Sequence, residues 1–318
     1  MSPNLTDNTL LPGFWKDADA ASLRGQGLTV FLSRVRLTGA VLAAVGGALT
    51  WSAGWFNVWA GLALVGFVAA LIAELVLLVQ QPERDWYAGR ALAESAKTLA
   101  WRYAVAGDPF LPTLQVNKAR EIMRDRLGAV AAQGHDRVTI SPGSPCTTPA
   151  MEALRSAPFA ERRRAYIGGR TETQHRWYVE HAETNKKRVF IWRVLLLAAE
   201  TVAIVLAAGR AFGRWDIDWS GVLAAFVATG AAWMGLKQYS PLASAYSIAA
   251  AELALQAGRL KDTSEEAWPM AVSDAEEAIS REHTMWLASR SGGAIRVAAP
   301  RIEQAPPDTP VETRGGPA

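Results

Sequence analysis

Uncharged residues fill one long stretch near the start of the chain. From residue 37 to residue 73 there is no Asp, Glu, Lys, Arg or His. One helix of that length would be about 55 Å long, whereas the hydrocarbon core of a bilayer is about 30 Å thick. The chain must therefore turn back, and Gly54 and Asn57, with aromatic neighbours suited to the headgroup layer, mark the reversal. This pattern predicts a membrane hairpin with helices at about 37–52 and 56–80.

A second pair of apolar stretches lies later in the chain. Residues 189–209 carry only Arg193 and Glu200 as charges, and residues 219–236 carry none. A short polar connection flanked by tryptophans joins these stretches, as expected for a turn at the membrane interface. The alternative, buried helices of a large soluble protein, fits less well because such helices normally keep a polar face. We therefore predict four membrane spans.

Basic residues lie at the same end of all four predicted spans. They precede the first and third spans and follow the second and fourth, whereas the first turn is uncharged and the second carries balanced charges. The positive-inside rule therefore predicts a protein of the inner membrane with both termini and the central segment in the cytoplasm. The residues that support this orientation are Arg24, Arg34, Arg36, Arg84, Arg90, Lys186, Lys187, Arg188 and Lys237.

The cysteine content and the sequence before residue 37 both agree with a mostly cytoplasmic protein. Cys146 is the only cysteine, which excludes an intrachain disulfide and suits a mostly cytoplasmic protein. No basic segment followed by an apolar one precedes residue 37, so we expect no cleavable signal peptide.

The positive charge of the chain does not by itself indicate nucleic-acid binding. The formal net charge is +3, and many of the arginines lie beside the membrane, where they set topology. The densest basic run elsewhere, residues 162–164, has Glu161 and Glu172 on the same helical stretch. A solvated helix face explains this run better than a phosphate-binding patch does. We expect no direct binding of DNA or RNA.

The segments outside the spans have a helical pattern. Residues 84–107, 114–133 and 243–260 are predicted as helices, and Ser273 with Glu276 forms a capping box that opens a last helix. No proline occurs from residue 159 until Pro241, so one helix could run from the cytoplasm through the third span.

The predicted fold is therefore an all-α integral membrane protein. It has two transmembrane helical hairpins with long cytoplasmic helical extensions, and its Pro- and Gly-rich end is predicted to be disordered. The predicted divisions are an N-terminal segment at 1–29, a first hairpin with its helices at 30–133, a loop at 134–149, a second hairpin with its helices at 150–290, and a tail at 291–318.

Aromatic and charged residues recur at uncommon offsets beside the two hairpins. They form a Trp-Tyr pair and a Trp-Arg-Tyr run after the first hairpin, a second Trp-Tyr pair before the third span, and a Glu-His pair in the last helix. The residues are Arg84, Trp86, Tyr87, Arg90, Glu94, Lys97, Trp101, Arg102, Tyr103, Arg170, Gln174, Trp177, Tyr178, Glu282, His283 and Trp286. These segments resemble the SLATT family, also grouped under the DUF4231 label.

The resemblance implies a two-transmembrane effector module of bacterial conflict or antiphage systems, here doubled. It further implies a pore-forming or membrane-depolarising activity that a nucleotide-sensing or signalling partner in the cytoplasm switches on. The alternative is a non-conducting scaffold that anchors such a partner. A small-solute transporter fits less well because the spans lack Gly- or Pro-broken helices near their middles.

Two carboxylates lie within the predicted spans and are candidates for a pore. Glu74 follows Gly66 and Ala70 at four-residue spacing, and the alternative is that it snorkels to the nearby membrane surface. Glu200 lies deeper, and its alternative is a hydrogen-bonded packing role. We expect both side chains to face protein or water because a lipid-facing carboxylate is costly.

Small residues recur along the spans and favour close helix packing. The ordinary explanation is packing within a four-helix bundle, and contacts between chains of a homo-oligomer are the alternative. Four tightly packed helices leave little room for a lumen, so a pore would need several subunits. The candidate packing residues are Gly39, Ala43, Gly47, Gly66, Ala70, Ala228 and Ala232, with Ala231 and Gly235 beside them.

No residue pattern supports catalysis or a cofactor. His175 and His181 are six apart, unlike the four-residue spacing of a helical zinc pair, and His135 and His283 are isolated from them. Exposed helix histidines explain these residues better than a metal site does. We expect no enzyme activity, no cofactor and no metal.

The predicted orientation can be tested with reporter fusions. Fusions at about residue 140 and at the C-terminus should both behave as cytoplasmic, because the basic residues flank both hairpins on one side. A periplasmic signal at either position would contradict the four-span topology.

Overall fold

The computed structural model describes residues 7–49, 52–53, 56–134, 136–141, 143–215 and 217–290, without the side chains of residues 7–8, 52–53, 56 and 281–290. The fold is helical apart from one short strand pair. Its elements are α1 Asp7–Leu10, α2 Gly13–Ala48, β1 Ser52–Ala53, β2 Phe56–Asn57, α3 Val58–Gln80, α4 Pro82–Ala104, α5 Val116–Ala132, α6 Pro149–Ser156, α7 Phe159–Tyr166, a π-helical turn Ile167–Glu172, α8 Thr173–Ala211, α9 Trp219–Lys237, α10 Tyr239–Asp262 and α11 Trp268–Arg290.

Four helical stretches are long and apolar enough to cross a membrane, which confirms the predicted number of spans. Three of them extend well beyond their apolar parts, and α2 already begins at Gly13, within the segment predicted as a separate N-terminal part. The predicted helix that continues through the third span is also present, but a π-helical turn interrupts its α-helical geometry between α7 and α8. The stretches are Gly13–Ala48, Val58–Gln80, Phe159–Ala211 and Trp219–Asp262.

The first two spans, α2 and α3, run antiparallel and touch backbone to backbone. A Cβ added at Gly39 would lie 2.6 Å from the carbonyl oxygen of Gly66, and one added at Gly66 would meet the backbone of Gly39 and Ala43. Even a Cβ does not fit at Gly39 or Gly66, so these glycines allow the two helices of one chain to pack closely. Between the helices β1 pairs with β2, and the Oδ1 of Asn57 accepts a hydrogen bond from the backbone N–H of Ala60 at 3.0 Å. The predicted turn residues Trp51, Gly54 and Trp55 lie outside the described residues.

The four spans lie in an open row in the order α3, α2, α9, α8. The main contacts join α3 to α2, α2 to α9 and α9 to α8. Where α9 meets α8, Gly230 faces Leu196 and Trp192, and where it meets α2, the guanidinium of Arg34 lies 5.5 Å from the ring centre of Trp233. Because α3 and α8 are the two ends of the row, the described part of one chain does not form the closed bundle that the small residues suggested.

In each half of the chain, one residue in a left-handed conformation connects a span to the next helix of the body. Gln81 after α3 and Gln238 after α9 both adopt a left-handed conformation, with φ of 49° and 50°. Their N–H groups donate to the carbonyls of Leu77 and Met234, four residues earlier. A left-handed residue ends a helix while satisfying a terminal carbonyl, so the chain changes direction and starts a new helix at once.

Outside the spans the helices form a body whose main hydrophobic cluster is rich in aromatic residues. The first part of α2 packs on α4 at backbone distance, since a Cβ at Gly89 would lie 2.6 Å from the backbone nitrogen of Ser22. The indole N–H of Trp268 donates to the carbonyl of Val105 at 2.9 Å and ties α11 to the end of α4. The core includes the buried side chains of Leu10, Trp101, Tyr103, Phe110, Met123, Met151, Tyr166, Leu260 and Trp268.

Two local predictions for this body are wrong. The last helix begins at Trp268, with Pro269 in its first turn, so Ser273 lies inside the helix and caps nothing. Its hydroxyl instead accepts a hydrogen bond from Arg102 at 2.6 Å. The prediction that residues 162–164 are solvated is wrong for Arg162, which is only 5% exposed and donates to Val105 of the core, whereas Arg164 is exposed.

Replacing Gly39 by Leu should destabilise the protein. The new side chain would clash with the backbone of α3, and overpacking of this kind costs about 1–3 kcal/mol or more. Gly47 lies on the same helix but has nothing within 4 Å of an added Cβ, so Gly47→Leu is the matched control. Thermal unfolding of the purified protein in detergent should show a lower Tm for Gly39→Leu alone. Equal Tm values would contradict the backbone contact between α2 and α3.

Candidate functional site

The carboxylate of Glu74 is paired at the basic end of the spans. Its Oε2 accepts a hydrogen bond from Arg36 of α2 at 2.5 Å, and the two side chains are 53% and 41% exposed. Arg36 directly precedes the uncharged run, so the pair lies at the membrane boundary. This position agrees with the surface alternative for Glu74 more than with a role in a pore.

Glu200 lies on the open side of the row. It is exposed on α8, as is Arg193 two turns earlier on the same face, and neither makes a hydrogen bond or ion pair with the described residues. Only one narrow stripe of α8, including Trp192 and Leu196, packs against α9. In a single chain these two charged side chains therefore point away from the other described spans. That Glu200 faces protein or water stays a prediction.

The predicted packing residues fall into two sets. Gly39, Ala43, Gly66 and Ala70 lie between α2 and α3. The second set lies on one exposed face of α9, which carries small residues, whereas Trp219 and Phe226 are exposed on the opposite side of the same helix. Helices α2 and α8 flank α9. The small-residue face carries Gly221, Ala224, Ala228, Ala231, Ala232 and Gly235, and Gly47 of α2 is exposed as well.

Six of the family-like residues converge on one cavity of about 340 Å³, which we call the boundary cavity. It lies where the body meets the spans, since its wall includes the last residue of α9, Lys237, and Arg188, which directly precedes the third apolar stretch. Helices α2 and α4 form one side, and α8 and α10 form the other. Its lining is Gln26, Val30, Trp86, Arg90, Glu94, Gln174, Trp177, Tyr178, His181, Asn185, Arg188, Leu236, Lys237, Tyr239, Leu242, Tyr246 and Ile279.

An aromatic wall forms one side of the boundary cavity. The rings of Trp177 and His181 stack at 3.9 Å, and Tyr246 of α10 meets Trp177 edge to face at 5.2 Å. Tyr178 is buried against the same Tyr246. His181 also contacts the carbonyl of Trp177 through Nδ1 at 2.8 Å, so it is a half-buried packing residue rather than an exposed one.

Cations dominate the charge of the boundary cavity. Arg90, Arg188 and Lys237 line it together with one carboxylate, Glu94, which lies 3.8 Å from Arg90. The guanidinium of Arg188 lies 5.6 Å from the ring centre of Tyr239. The cavity is therefore positively charged overall and aromatic, which suits an anion that carries apolar groups.

A buried ion pair lies beside this cavity in the body. Arg170 and Glu276 are 1% and 0% exposed and form two parallel hydrogen bonds of 3.0 and 2.9 Å. Tyr166 and Thr98 also donate to the carboxylate, each at 2.9 Å, so the cluster joins α4, α7, the π-helical turn and α11. Burial lowers the pKa of Arg170, but the charge and hydrogen bonds of Glu276, together with the charges of Glu94 and Tyr166, hold the pKa above its usual value. Burial, with the negative charge of Glu276, raises the pKa of Tyr166 well above its ordinary value.

Other family-like residues pack in the core of the body or donate hydrogen bonds to it. Trp101 packs edge to face on Tyr166, and Arg102 donates to the carbonyl of Asp108 at 2.5 Å. The hydroxyl of Tyr103 donates to Glu152 at 2.9 Å, and burial together with this bond raises the pKa of Tyr103 to about 12. The motif thus divides into residues that build the body and residues that line the boundary cavity.

The remaining family-like residues lie elsewhere. Arg84 is exposed and Lys97 half-buried on α4, while the hydroxyl of Tyr87 donates to Glu83 one turn earlier. The last three family-like residues lie in α11, where the structure does not describe the side chains. These three are Glu282, His283 and Trp286. His135 and residues 291–318 lie outside the described residues altogether.

Long-range contacts create two features of this site that the sequence pattern does not predict. Glu276 was expected to cap a helix, yet it pairs with Arg170, which is 106 residues away. Tyr246 was not singled out, although it completes the aromatic wall. The available signals were weak: a Glu on the apolar face of α11, and a Tyr one helix turn before the buried Ala250 of α10.

Comparison with protein families finds two adjacent matches. Residues 12–163 match SLATT_3, described as SMODS and SLOG-associating 2TM effector domain 3. Residues 166–286 match SLATT_1, described as SMODS and SLOG-associating 2TM effector domain 1. Comparison with curated proteins and with solved structures gives no match. The boundary cavity therefore takes residues from both matched ranges. Arg170 and Glu276 both lie in the second range, and Thr98 of the first range donates a hydrogen bond to Glu276.

Removing the charge of Glu276 should strongly destabilise the protein. Glu276→Gln leaves Arg170 buried without a counter-ion, and breaking a buried pair from one side costs about 3–5 kcal/mol. Glu172→Gln is the matched control because its pair with Lys261 is 50–60% exposed, and such pairs contribute about 0–1 kcal/mol. Denaturant unfolding of the purified proteins in detergent measures the loss of unfolding free energy in each variant. A small loss of the same size in the two variants would contradict the assigned role of the buried pair.

Proposed function

Because this chain belongs to the SLATT family, with two such effector domains in tandem, we propose that it is a membrane effector of a bacterial conflict system that assembles into a pore and depolarises the membrane. The observation that carries the proposal is the exposed, unpartnered pair of charged side chains, Arg193 and Glu200, on the outer face of the third span. A charge at the centre of a membrane helix costs about 2.5–3.5 kcal/mol on insertion scales, so such residues normally face protein or water.

The open row of spans supports assembly from several copies. One chain encloses no lumen between its described spans, because α3 and α8 lie at opposite ends of the row. A second copy packed on the row can supply partners for Arg193 and Glu200, and the small-residue face of α9 allows close approach of another helix. A water-filled space between copies would then be lined by these charged residues.

The basic end of the spans supports a cytoplasmic position for the body. Arg34, Arg36, Arg188 and Lys237 lie together where the body begins, as the positive-inside rule requires of the cytoplasmic face. The body would then meet a nucleotide-sensing or signalling partner in the cytoplasm.

The continuous helical stretch from Phe159 to Ala211 supports a route from partner to pore. Arg170 near its start is fixed by Glu276 of α11, and Glu200 lies near its far end. A partner that shifts α11 or α7 would move the third span with it, because the buried pair connects them. Glu200 would thereby exchange between lipid-facing and water-facing or subunit-facing positions.

Glu200→Gln should change the extent of membrane depolarisation without preventing insertion, since it removes a charge from the proposed pore. Glu183→Gln is the matched control: it lies on the same helix, is exposed, and precedes the apolar stretch. The measurement is the response of a membrane-potential dye in induced cells that contain the genomic partner, at equal membrane abundance of each variant.

Two outcomes would count against the proposal. Equal depolarisation by wild type, Glu200→Gln and Glu183→Gln would remove Glu200 from the pore. No depolarisation by wild type with its partner present would favour the alternative, a scaffold that anchors the partner without conducting ions.

A further inference from the structure

We propose that the boundary cavity is a binding site for the phosphate group of an amphipathic anion, held where the body meets the spans. The cavity has about 340 Å³ of space, within the usual range of small-molecule sites of about 300–1,000 Å³. Neither the pore nor its activation requires such a ligand, so this proposal is independent of the proposed function.

Arg188 is the residue best placed to bind the phosphate. It makes no hydrogen bond or ion pair with the described residues, and its guanidinium lies over Tyr239 at 5.6 Å. A guanidinium that rests on an aromatic ring keeps its N–H edge free to donate two parallel hydrogen bonds to a phosphate. The ring also reduces the entropy lost on binding, because it already restrains the side chain.

The charge around Arg188 favours an anion. Lys237 and Arg90 line the same cavity, while Glu94 is its single carboxylate. Gln26 and Gln174 add side-chain amide groups that can donate to phosphate oxygens from opposite walls. A dianionic or monoanionic phosphate would therefore lower the repulsion among the three cations.

The apolar part of the lining indicates what else the ligand carries. Val30, Leu236 and Leu242 are apolar residues of the lining, with Leu236 at the end of the span helix α9, and Trp177 and Tyr246 form the aromatic wall. Apolar and aromatic groups beside a basic cluster at a membrane boundary suit a phospholipid whose headgroup enters the cavity while its chains stay with the spans. A soluble phosphate compound shares the same chemistry and is the other source.

The cavity would connect the two SLATT domains through its ligand. Trp86, Arg90 and Glu94 come from the first matched range, while Trp177, Arg188 and Tyr239 come from the second. A bound phosphate contacting Arg90 and Arg188 would therefore hold α4 and α8 at a fixed separation. Ligand binding should accordingly raise the thermal stability of the full chain.

The test measures binding of three probes to the purified full-length protein in detergent: dioctanoyl phosphatidylglycerol, inorganic phosphate and dioctanoylglycerol. Native mass spectrometry and the shift in Tm are the readouts. The lipid with a phosphate should bind and raise the Tm, and dioctanoylglycerol should not. Saturation by inorganic phosphate at equal concentration would identify a soluble phosphate compound as the source, and its failure to compete would identify the lipid.

Arg188→Gln should weaken binding of the phosphate probe by about tenfold or more, because a charge-assisted bidentate contact is lost. Lys187→Gln removes the same charge from the neighbouring exposed residue, which does not line the cavity, and should bind as wild type does. Both side chains are exposed, so neither variant should disturb folding. Equal loss in the two variants, equal binding of dioctanoylglycerol, or no binding of any probe would overturn the proposal.

Discussion

The buried ion pair between Arg170 and Glu276 is the interaction on which the arrangement of the molecule depends. Burying two ions is costly unless they pair and gain further hydrogen bonds, and Tyr166 and Thr98 supply such donors to the carboxylate. The Nη1 of Arg170 is buried without a hydrogen-bond partner among the described residues. The pair joins the first matched domain, through Thr98 of α4, to the second. The two domains are thereby one body, and each carries its own pair of spans.

The position of the spans follows from that body. Arg170 lies in the π-helical turn that opens the long helix of the third span, so its fixation also fixes the direction of α8. Helix α9 packs between α8 and α2, and α2 continues from the membrane into the body against α4. The result is a row of four helices in which α9 exposes one face of small residues. Conduction by such a row needs further copies of the chain.

The parts of the structure that follow from local pattern could be predicted from the sequence. The uncharged runs predict the four spans because the hydrocarbon core of a bilayer tolerates few charges. The small residues Gly39 and Gly66 mark the close crossing of the first two spans. The family resemblance identified Arg170, Trp177 and Arg90 but not their division between core and cavity. That division depends on contacts between residues far apart in sequence. For the same reason Ser273 and Glu276 look like a capping box, and Arg162 looks solvated.

The proposed pore requires more than one copy of the chain. The direct measurement is single-molecule photobleaching of a fluorescently labelled chain in a planar bilayer, recorded together with ionic current after addition of the genomic partner. Each bleaching step reports one labelled chain. We expect current only at spots with two or more steps, because the described spans of one chain enclose no lumen. Current through spots that bleach in a single step would contradict this expectation.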